Sequence, residues 1–562
     1  MDFAELMLRT FETLQRNQPL REHYQRRFKY LLIDEFQDTN SLQYKWLRLL
    51  TGPDSVVFGV GDDDQSIYRF RGAQVGNMRA FERDFAPVKM VKLEQNYRSF
   101  GNILDAANAL IDNNKGRLGK NLWTDSGAGE KIRGYIGYND QDEALFVVDS
   151  LKQAIFAGET PHEMAVLYRS NAQSRVLEHA LFSANIPYKV YGGLRFFERA
   201  EVKHALAYCR MVNNPEDDGA FLRVVNFPPR GIGARTVETL QQHALHSGQT
   251  LWATACGGQA VAGATQNKIA QFITVIETLR MAAKDLTLPE IMQQVIEGSG
   301  LLAHYQSDKE KDGEERVDNL KELVTAADGF MRESGGVLST MDADGAVSTD
   351  ALTDFLTHAA LEAGDTQAAE GRSAVQLMTV HAAKGLEFNL VFITGLEEGL
   401  FPHDNSLNDE DGLQEERRLM YVAITRARKK LYLTHCQTRM MYGQTRYHIA
   451  SRFLDEVPTE LLQWLSPKPK DNAHIAYASS YGYSAGSPQS KSESGSYGSA
   501  SSKSASASHP YRVGQTVQHA KFGSGVVVNL EGGGNDARVQ VNFRDAGLKW
   551  LAVAYAKLET KN

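Results

Sequence analysis

Cysteine is scarce in this chain of 562 residues: the three present, Cys209, Cys256 and Cys436, lie far apart. Their spacing matches neither a metal-binding pattern nor a disulfide framework, so we expect a reducing, cytoplasmic setting. Apolar residues nowhere form a run of about 18, which argues against a membrane-spanning helix. The N-terminus has no basic region followed by an apolar one, which argues against a secretory signal.

The chain also lacks an excess of positive charge: 61 lysines and arginines stand against 69 aspartates and glutamates, for a formal net charge of −8. This balance argues mildly against a protein that coats DNA through overall charge, although a local basic stripe is enough to engage phosphates. The hydrophobic share of 42% and charged share of 23% are ordinary for a globular protein. The length predicts about three or four domains.

Apolar runs that end in polar residues predict the fold class. After an amphipathic helical stretch over residues 1–27, the runs are Tyr30 to Ile33, Val56 to Val60 and Val88 to Leu93, followed by Asp34-Glu35, by 61–65 and by 94–98 respectively. Helical spacers separate them, which is typical of a mostly parallel α/β sheet with ligands at the strand ends.

The rest of the chain divides by pattern. A second α/β region has predicted strands at Met164 to Tyr168, Val375 to Thr379 and Leu390 to Thr394, and residues from about 195 to 370 read as an all-helical insertion. A Ser/Gly/Ala-rich tract to about Ser508 predicts a flexible linker. Strand-like runs after Tyr511 predict a small β-barrel module, with a core expected from Phe522, Phe543, Trp550 and Tyr555.

Asp34 and Glu35 carry the strongest local signal for chemistry. An apolar strand ending in Asp-Glu is the Walker B arrangement, in which Asp holds Mg²⁺ and Glu polarises the attacking water. Alone, a buried strand capped by two solvated acids would be the better interpretation. The balance changes because Gln65 follows the next strand, where it could sense a γ-phosphate. Arg98 and Arg426 could neutralise transition-state charge, although for either arginine alone a surface ion pair is the simpler explanation.

Five longer segments resemble, in order and spacing, motifs II to VI of superfamily 1 helicases. They are LLIDEFQDTN (31–40), VGDDDQSIYRFRGA (60–73), LEQNYRS (93–99), VQLMTVHAAKGLEF (375–388) and EERRLMYVAITRAR (415–428). The resemblance is strongest to the UvrD/Rep/PcrA family, which residues 165–178 and 186–203 also resemble. It implies two RecA-like motor domains with insertions and ATP-driven 3′-to-5′ translocation on single-stranded DNA, in repair or replication.

The resemblance also implies roles for single residues. Asp34 would bind Mg²⁺, Glu35 would be the catalytic base, and Gln65 would contact the γ-phosphate of ATP. The remaining nucleotide contacts would be Arg98 and Arg426 as arginine fingers, Tyr97 on the adenine and Glu387 on the ribose.

Aromatic and basic residues alternate at 68–71, a pattern suited to stacking bases and contacting phosphates. Tyr68 and Phe70 would contact single-stranded DNA, although a buried aromatic pair is an equal alternative for Tyr68. The family generally reads Tyr-Gly-Trp where this chain reads Tyr-Arg-Phe, which leaves a smaller stacking face. By resemblance, Thr379, His381 and Lys384 would face DNA. Gly231, Gly233 and Arg235 suggest a duplex-binding hairpin, with an ordinary helix–helix turn equally favoured.

A phosphate-binding loop of the form Gly-x4-Gly-Lys-Ser/Thr is absent from the sequence, since the Gly119-Lys120 pair is followed by Asn121. We therefore expect the chain to be an N-terminally truncated helicase that is inactive alone. The alternative is a motor-dead remnant that binds DNA or a transcription complex. A helicase–nuclease fusion is disfavoured, because no clustered catalytic acids follow the linker. The resemblance implies RNA polymerase as a partner of the Tudor-like C-terminal module, and mismatch or excision repair proteins as further partners.

The predicted boundaries are residues 1–27 for the end of a first-motor insertion, 28–94 for the C-terminal part of the first RecA-like motor domain, 95–194 and 373–466 for two segments of the second motor domain, 195–372 for the helical insertion, 467–509 for the linker and 510–562 for the Tudor-like module.

Overall fold

The computed structural model describes residues 2–307, 312–333, 350–364, 373–407, 411–441, 444–466, 510–531 and 537–560. They belong to two compact units, Met1–Leu465 and Ser466–Asn562. The predicted linker at 467–509 lies outside the described residues. Within the described ranges, no helix combines the length and apolar composition needed to cross a membrane.

The N-terminal segment, residues 2–86, combines helices with two parallel strands. Its elements are α1 (Phe3–Arg16), α2 (Gln18–Arg27), β1 (Tyr30–Ile33), α3 (Ser41–Leu50), β2 (Val56–Gly59) and α4 (Gly76–Asp84). The predicted N-terminal helix is two helices, because the Asn17 side chain caps the second one by accepting a hydrogen bond from the Leu20 amide at 3.1 Å. Asn40 and Gln43 form a capping box that begins α3. A short 3-10 helix, Phe36–Asp38, lies between the Asp34-Glu35 turn and this cap.

The two-stranded sheet is covered on one face only. Tyr30 pairs with Val56 and Leu32 pairs with Phe58 in parallel register, and these four side chains are 57–76% exposed. On the other face, Leu31, Ile33 and Val57 pack against the small core of Phe36, Tyr44 and Leu47. A contiguous exposed apolar face of this kind is typical of an interaction surface.

The predicted third strand, Val88 to Leu93, is wrong. These residues do not form a strand, and Val88, Met90, Val91 and Leu93 are exposed. A strand needs a neighbour for its backbone groups. In the described part of the chain the nearest such pairing is the isolated bridge between Gln95 and Trp123.

A seven-stranded sheet, called here the central sheet, has the order β11-β3-β8-β7-β4-β6-β5 and is parallel throughout. Its strands are β3 (Ile132–Gly137), β4 (Met164–Tyr168), β5 (Tyr188–Val190), β6 (Val375–Thr379), β7 (Phe388–Ile393), β8 (Ala427–Cys436) and β11 (Leu462–Trp464), beside a hairpin of β9 (Thr438–Met441) and β10 (Gln444–Tyr447). The predicted strands in this region are confirmed, the last one beginning and ending slightly earlier than expected.

Helices cover both faces of the central sheet. Three of them precede residue 200 in the sequence: α5 (Gly101–Ile111), α6 (Asp140–Phe156) and α7 (Ser174–Ser183). Strand residues such as Val166, Phe392 and Leu433 are completely buried. Burial on both faces explains why these strands are continuous apolar runs, since a parallel sheet with helices on each side has no solvent-facing positions.

The helical region, residues 200–364, has no strand among its described residues, in agreement with the fading strand signal. Its helices are α8 (Ala200–Asn213), α9 (Asp218–Val224), α10 (Ala234–Ser247), α11 (Leu251–Gly257), α12 (Ala264–Ala283), α13 (Leu288–Gly298), α14 (Leu301–Ser307), α15 (Asp312–Glu333) and α16 (Asp350–Gly364). They share one hydrophobic core that includes Phe221, Phe272 and Phe355. Arg199 joins this region to the sheet by donating to Ser174 Oγ at 2.7 Å and Asn319 Oδ1 at 2.8 Å.

Two helices lie between β7 and β8 in the sequence, α17 (Asp404–Leu407) and α18 (Gly412–Ile424). A third, α19 (Arg452–Asp455), follows β10. The α18 helix is buried along most of its length and carries the EERR sequence and the first four residues of YVAITRAR. It leads directly into β8, so Arg426 lies at the helix-to-strand turn.

The second unit is an antiparallel sheet in the order β15-β14-β13-β12-β16. Its elements are β12 (Thr516–His519), β13 (Gly523–Glu531), β14 (Arg538–Phe543), β15 (Gly547–Ala552), α20 (Val553–Ala556) and β16 (Glu559–Thr560). Phe543 is buried and Phe522 is partly buried in its core, as expected. The expectation was wrong for Trp550 and Tyr555, which are 45% and 86% exposed, because valines from facing strands fill the core instead.

Candidate functional site

Asp34 and Glu35 lie exposed where β1 ends. Glu35 has a φ of 49°, in the left-handed region that costs a non-glycine residue roughly 1 kcal/mol. The buried Gln37 side chain stabilises this turn: its Nε2 donates to Glu35 Oε2 at 2.5 Å, and its Oε1 accepts from the Asp62 amide at 2.9 Å. Gln37 therefore ties the ends of β1 and β2 together, a role that its place in the sequence did not indicate.

Gln65 lies in a network of acids and cations after β2. Its Nε2 donates to Asp62 Oδ2 at 2.6 Å, and Lys120 contacts the same carboxylate. Arg117 makes two hydrogen bonds of 2.8 Å to the buried Asp64, which raise the pKa of that guanidinium. Lys120 therefore serves as an ion-pair partner in this structure, consistent with the absence of phosphate-loop sequence around it.

Arg98 and Glu387 form an ion pair beside that network. The hydrogen bond from Arg98 is the main reason that the pKa of Glu387 is lowered, with burial opposing it and Arg428 adding to it. Arg428 Nε lies 3.9 Å from the same carboxylate. Tyr97 is 83% exposed next to this pair, with its hydroxyl donating to Gln95 Oε1 at 2.9 Å.

Arg426 is almost completely buried, with 1% of its surface exposed. Its guanidinium donates to Val422 O at 2.9 Å, Leu386 O at 3.0 Å and Thr425 Oγ1 at 3.1 Å. Within the described residues it forms no ion pair. Burial and, after it, the positive charge of Arg98 lower the pKa of Arg426 to about 10. A buried cation without a carboxylate partner is an unfavourable arrangement that an added anion would relieve.

Tyr68, Phe70 and His381 form one aromatic cluster, although His381 is 313 residues beyond Tyr68 in the chain. The Tyr68 hydroxyl donates to the His381 carbonyl at 3.3 Å, and the Phe70 and His381 rings meet edge to face at 5.3 Å. The Arg71 guanidinium lies over both aromatic rings at 5.2 and 5.4 Å. Because Phe70 remains 40% exposed, the cluster offers a ring face and a cation to solvent together.

Lys384, expected by resemblance to face DNA, has its ammonium directed toward carboxylates at the end of β1. Its side chain is 7% exposed, and its Nζ lies 2.5 Å from Asp38 Oδ2 and 3.5 Å from Glu35 Oε2. It also donates to the Gln65 carbonyl at 2.9 Å. The reason is electrostatic: carboxylates at the end of β1 attract the ammonium inward. Thr379, at the end of β6, is half-buried and accepts a hydrogen bond from the Ala382 amide at 3.3 Å.

Gly231, Gly233 and Arg235 lie in the helical region, apart from the cluster just described, where a tight turn leads into α10. Gly231 has a φ of +73° and Gly233 caps the helix. The Asn226 side chain shapes the turn by accepting from the Arg230 and Ile232 amides at 3.0 and 2.9 Å. Arg235 is exposed in the first turn of the helix, so backbone amides and a cation are presented together.

Three family models match the chain, and together they cover most of it. The UvrD/REP helicase N-terminal domain matches residues 1–86, the UvrD-like helicase C-terminal domain matches 91–438 and the PcrA/UvrD tudor domain matches 513–559. The chain belongs to the UvrD/Rep/PcrA family of superfamily 1 DNA helicases. The buried Arg426 is inside the C-terminal match, and the Asp34-Glu35 turn is inside the N-terminal one.

Individual UvrD-family relatives align along nearly the whole chain. DNA helicase II of Escherichia coli is 46% identical over 100% of this chain and 74% of its own length. ATP-dependent DNA helicase UvrD1 of Mycobacterium tuberculosis H37Rv is 40% identical over 97% of this chain and 72% of its own. ATP-dependent DNA helicase PcrA of Bacillus subtilis is 36% identical over 100% and 74% respectively.

Proposed function

We propose that this UvrD-family chain carries the hydrolytic and DNA-gripping residues of an ATP-dependent motor that moves 3′-to-5′ on single-stranded DNA in repair or replication. The observation that carries the proposal is the buried Arg426, which has no carboxylate partner among the described residues and lies near Arg98 and Glu387. The γ-phosphate of ATP is an anion of the kind that would neutralise such a site.

The residues of the candidate site fit a nucleotide whose phosphates are bound to Mg²⁺. Asp34 and Glu35 supply exposed carboxylate oxygens, which are the ligands that Mg²⁺ prefers. In this proposal Asp34 binds Mg²⁺, Glu35 is the catalytic base and Gln65 contacts the γ-phosphate. Tyr97 stacks on the adenine and Glu387 contacts the ribose. Bound Mg²⁺ would draw charge from the phosphates as they separate.

Coupling between nucleotide and DNA is proposed to run through Lys384. Its ammonium touches Asp38 and the carbonyl of Gln65, and it lies 5.0 Å from the centre of the Tyr68 ring. A change of charge at the nucleotide would therefore reach the aromatic cluster through one side chain. Tyr68, Phe70, Thr379 and His381 are proposed to hold single-stranded DNA, and Gly231, Gly233 and Arg235 the duplex beside it.

A second function is favoured for the 562-residue polypeptide by itself: binding DNA or a transcription complex without ATP turnover. The supporting observation is that its sequence has no Gly-x4-Gly-Lys-Ser/Thr loop, the element that supplies most contacts to the β- and γ-phosphates. RNA polymerase is the proposed partner of the C-terminal module, and mismatch or excision repair proteins are proposed partners elsewhere.

Glu35→Gln tests the hydrolytic role. We expect no DNA-stimulated ATPase above the Glu35→Gln background for the 562-residue polypeptide. A version in which the N-terminal part of a UvrD-family motor domain, with its phosphate-binding loop, is fused ahead of residue 1 is expected to hydrolyse ATP. Glu35→Gln in that version is expected to abolish hydrolysis and unwinding while binding of a 3′-tailed duplex persists. Unwinding by the variant near the parent rate would show that Glu35 is not the base.

A further inference from the structure

Two histidines and a glutamate from distant parts of the chain meet beside the central sheet. His179 Nδ1 lies 2.5 Å from Glu362 Oε1, and His358 Nε2 lies 3.1 Å from the same oxygen. All three ligand atoms lie within 4.8 Å of one another. None of the three belongs to the helicase motifs, and the cluster lies outside the candidate nucleotide and DNA site.

The cluster joins two structural regions. His179 belongs to α7, which packs against the central sheet, whereas His358 and Glu362 are one turn apart on α16 of the helical region. A spacing of four residues places both side chains on one face of a helix. Arg195 fixes the end of α16 by donating to the carbonyls of Glu362 and Ala363 at 3.3 and 2.6 Å.

The donor set is that of a zinc site. Imidazole nitrogen and carboxylate oxygen bind Zn²⁺ at about 2.0–2.2 Å, and tetrahedral geometry then separates neighbouring ligand atoms by about 3.3 Å. The 2.5 and 3.1 Å separations seen here are those of hydrogen bonds between the rings and the carboxylate. Side-chain movements of about 1 Å or less would convert this hydrogen-bonded cluster into a metal site.

The Glu362 carboxylate is buried, with 7% of its side chain exposed, and its ion-pair partners among the described residues are the two histidines. Two arginines lie nearby but are paired with other glutamates. Arg175 Nε lies 2.5 Å from Glu322 Oε1, and Arg195 Nε lies 3.2 Å from Glu198 Oε2.

Space for a fourth ligand is also present. A cavity of about 20 Å³ lies against the three residues and is also lined by Arg175 and by the rings of Phe197, Phe330 and Phe355. A single water molecule needs roughly 10–15 Å³ of such volume. One water would complete four-coordination.

The other buried cluster of potential ligands lacks these features. Glu143, Glu397 and Cys436 are all buried, but Arg439 bonds both glutamates at 2.7 Å and takes the place that a cation would need. That arrangement is a closed ion-pair network. His179, His358 and Glu362 have no comparable cation between them in the described structure.

We propose that His179, His358 and Glu362 bind one Zn²⁺ ion and that the metal clamps α16 of the helical region onto α7 of the central sheet. Binding would join two regions that otherwise meet here through hydrogen bonds. The helical region would be held more firmly while zinc is bound, with no contribution from the nucleotide or DNA residues.

Isothermal titration of the whole 562-residue chain with ZnCl₂ tests the proposal. We expect one ion bound per chain, and an affinity that falls at least about tenfold in His358→Ala, His179→Gln and Glu362→Gln. Mg²⁺ and Ca²⁺, which prefer all-oxygen sites, should not compete. His246→Ala, which removes an exposed histidine of α10, is the matched control and should keep the parent affinity.

Two further measurements keep the outcome decisive. Co²⁺ bound in place of zinc should give the visible absorption of a four-coordinate site, absent in His358→Ala. Zinc should also slow amide exchange in α7 and α16 of the parent chain but not of that variant. His358 is partly exposed, so His358→Ala should fold, which circular dichroism without metal will verify. No stoichiometric zinc binding by the parent, or equal binding by all three variants, would overturn the proposal.

Discussion

Lys384 and Asp38 form an ion pair between residues 346 positions apart, with Nζ 2.5 Å from Oδ2. Asp38 follows β1 of the N-terminal segment, and Lys384 follows β6 of the central sheet. Burial raises the pKa of Asp38, and Lys384 opposes that rise. The pair therefore holds the two halves of the candidate site together through charge.

Lys384→Met should cost about 2 kcal/mol of unfolding free energy, because it leaves a partly buried carboxylate without its cation. Urea denaturation of the parent, Lys384→Met, Asp38→Asn and the double variant gives the coupling energy. Lys430→Met is the control, since its 3.4 Å pair with Glu159 is more exposed and should contribute less than about 1 kcal/mol. Equal losses in Lys384→Met and Lys430→Met would contradict a special role for Lys384.

Arg426→Lys, in the fused version that supplies a phosphate-binding loop, should lower ATP turnover by about 10³-fold. Lysine keeps a charge but cannot replace the guanidinium fork that bonds the Val422 and Leu386 carbonyls. Steady-state ATPase assays should show the loss in kcat while single-strand affinity stays constant. Arg133→Lys, on β3, is the control for a general arginine-to-lysine effect, and turnover above a tenth of the parent value in Arg426→Lys would remove Arg426 from the catalytic set.

The parallel sheet and its polar strand ends could be predicted from the sequence, because strands that are buried on both faces are apolar at every consecutive position. Met164–Tyr168 and Val375–Thr379 follow that rule. The run from Val88 to Leu93 looks the same in sequence but has no neighbouring strand in the described residues, and pairing is a property of the fold rather than of a local pattern.

The order and spacing of the motifs likewise indicated which residues would lie close together, but not which of them would be buried or which partners they would bond. The burial of Lys384 depends on Asp38, and that of Arg426 depends on the Leu386 carbonyl 40 residues away. The cluster of His179, His358 and Glu362 had no sequence signal beyond a His and a Glu four residues apart, because its third member comes from another region.

Phe70→Ala should weaken binding of single-stranded DNA by about 5- to 150-fold, the range expected from losing one base stack of roughly 1–3 kcal/mol. Phe70→Trp should bind at least as tightly as the parent, because its ring has a larger face. Anisotropy of a fluorescent oligothymidine at constant salt measures both. Phe156→Ala removes a phenylalanine that is 96% exposed on α6 and should have no effect. If Phe70→Ala bound like Phe156→Ala, Phe70 would not stack on DNA.

His381 predicts a pH dependence of stability. Burial lowers its pKa to about 3, and the charge of Arg169 contributes to the lowering. In the unfolded chain its pKa is about 6.5, so between these values the unfolded state binds a proton that the folded state does not. The stability that neutral His381 contributes is present above about pH 6.5 and is lost as pH falls below it.

His381→Gln removes this proton linkage. Relative to the parent, the variant should gain about 1–2 kcal/mol of unfolding free energy between pH 8 and about pH 5. Urea midpoints at both pH values give the difference, and His243→Gln, at an exposed position of α10, is the control. A parent-minus-variant difference that does not change with pH would show that His381 accepts its proton as readily when folded as when unfolded.

The C-terminal sheet should fold without the first unit. Ser466–Asn562 and Met1–Leu465 are two compact units, and the C-terminal one has a core of its own, made of Val517, Val527, Val539, Val541 and Phe543. About 50 residues is near the lower limit for an independent domain, so its stability should be modest. A fragment of residues 509–562 should give dispersed amide resonances and a cooperative thermal transition.

Val541→Ala and Val513→Ala in that fragment distinguish a real core from a loose strand assembly. Val541 is completely buried, and its truncation should cost about 2 kcal/mol, a large part of what so small a module has. Val513 is 41% exposed, and its truncation should cost less than about 0.5 kcal/mol. Equal effects of the two substitutions, or a collapsed spectrum of the parent fragment, would mean that the sheet depends on the rest of the chain. Removal of residues 509–562 should then also disturb the helicase unit, whereas an independent module can be removed without changing the stability of that unit.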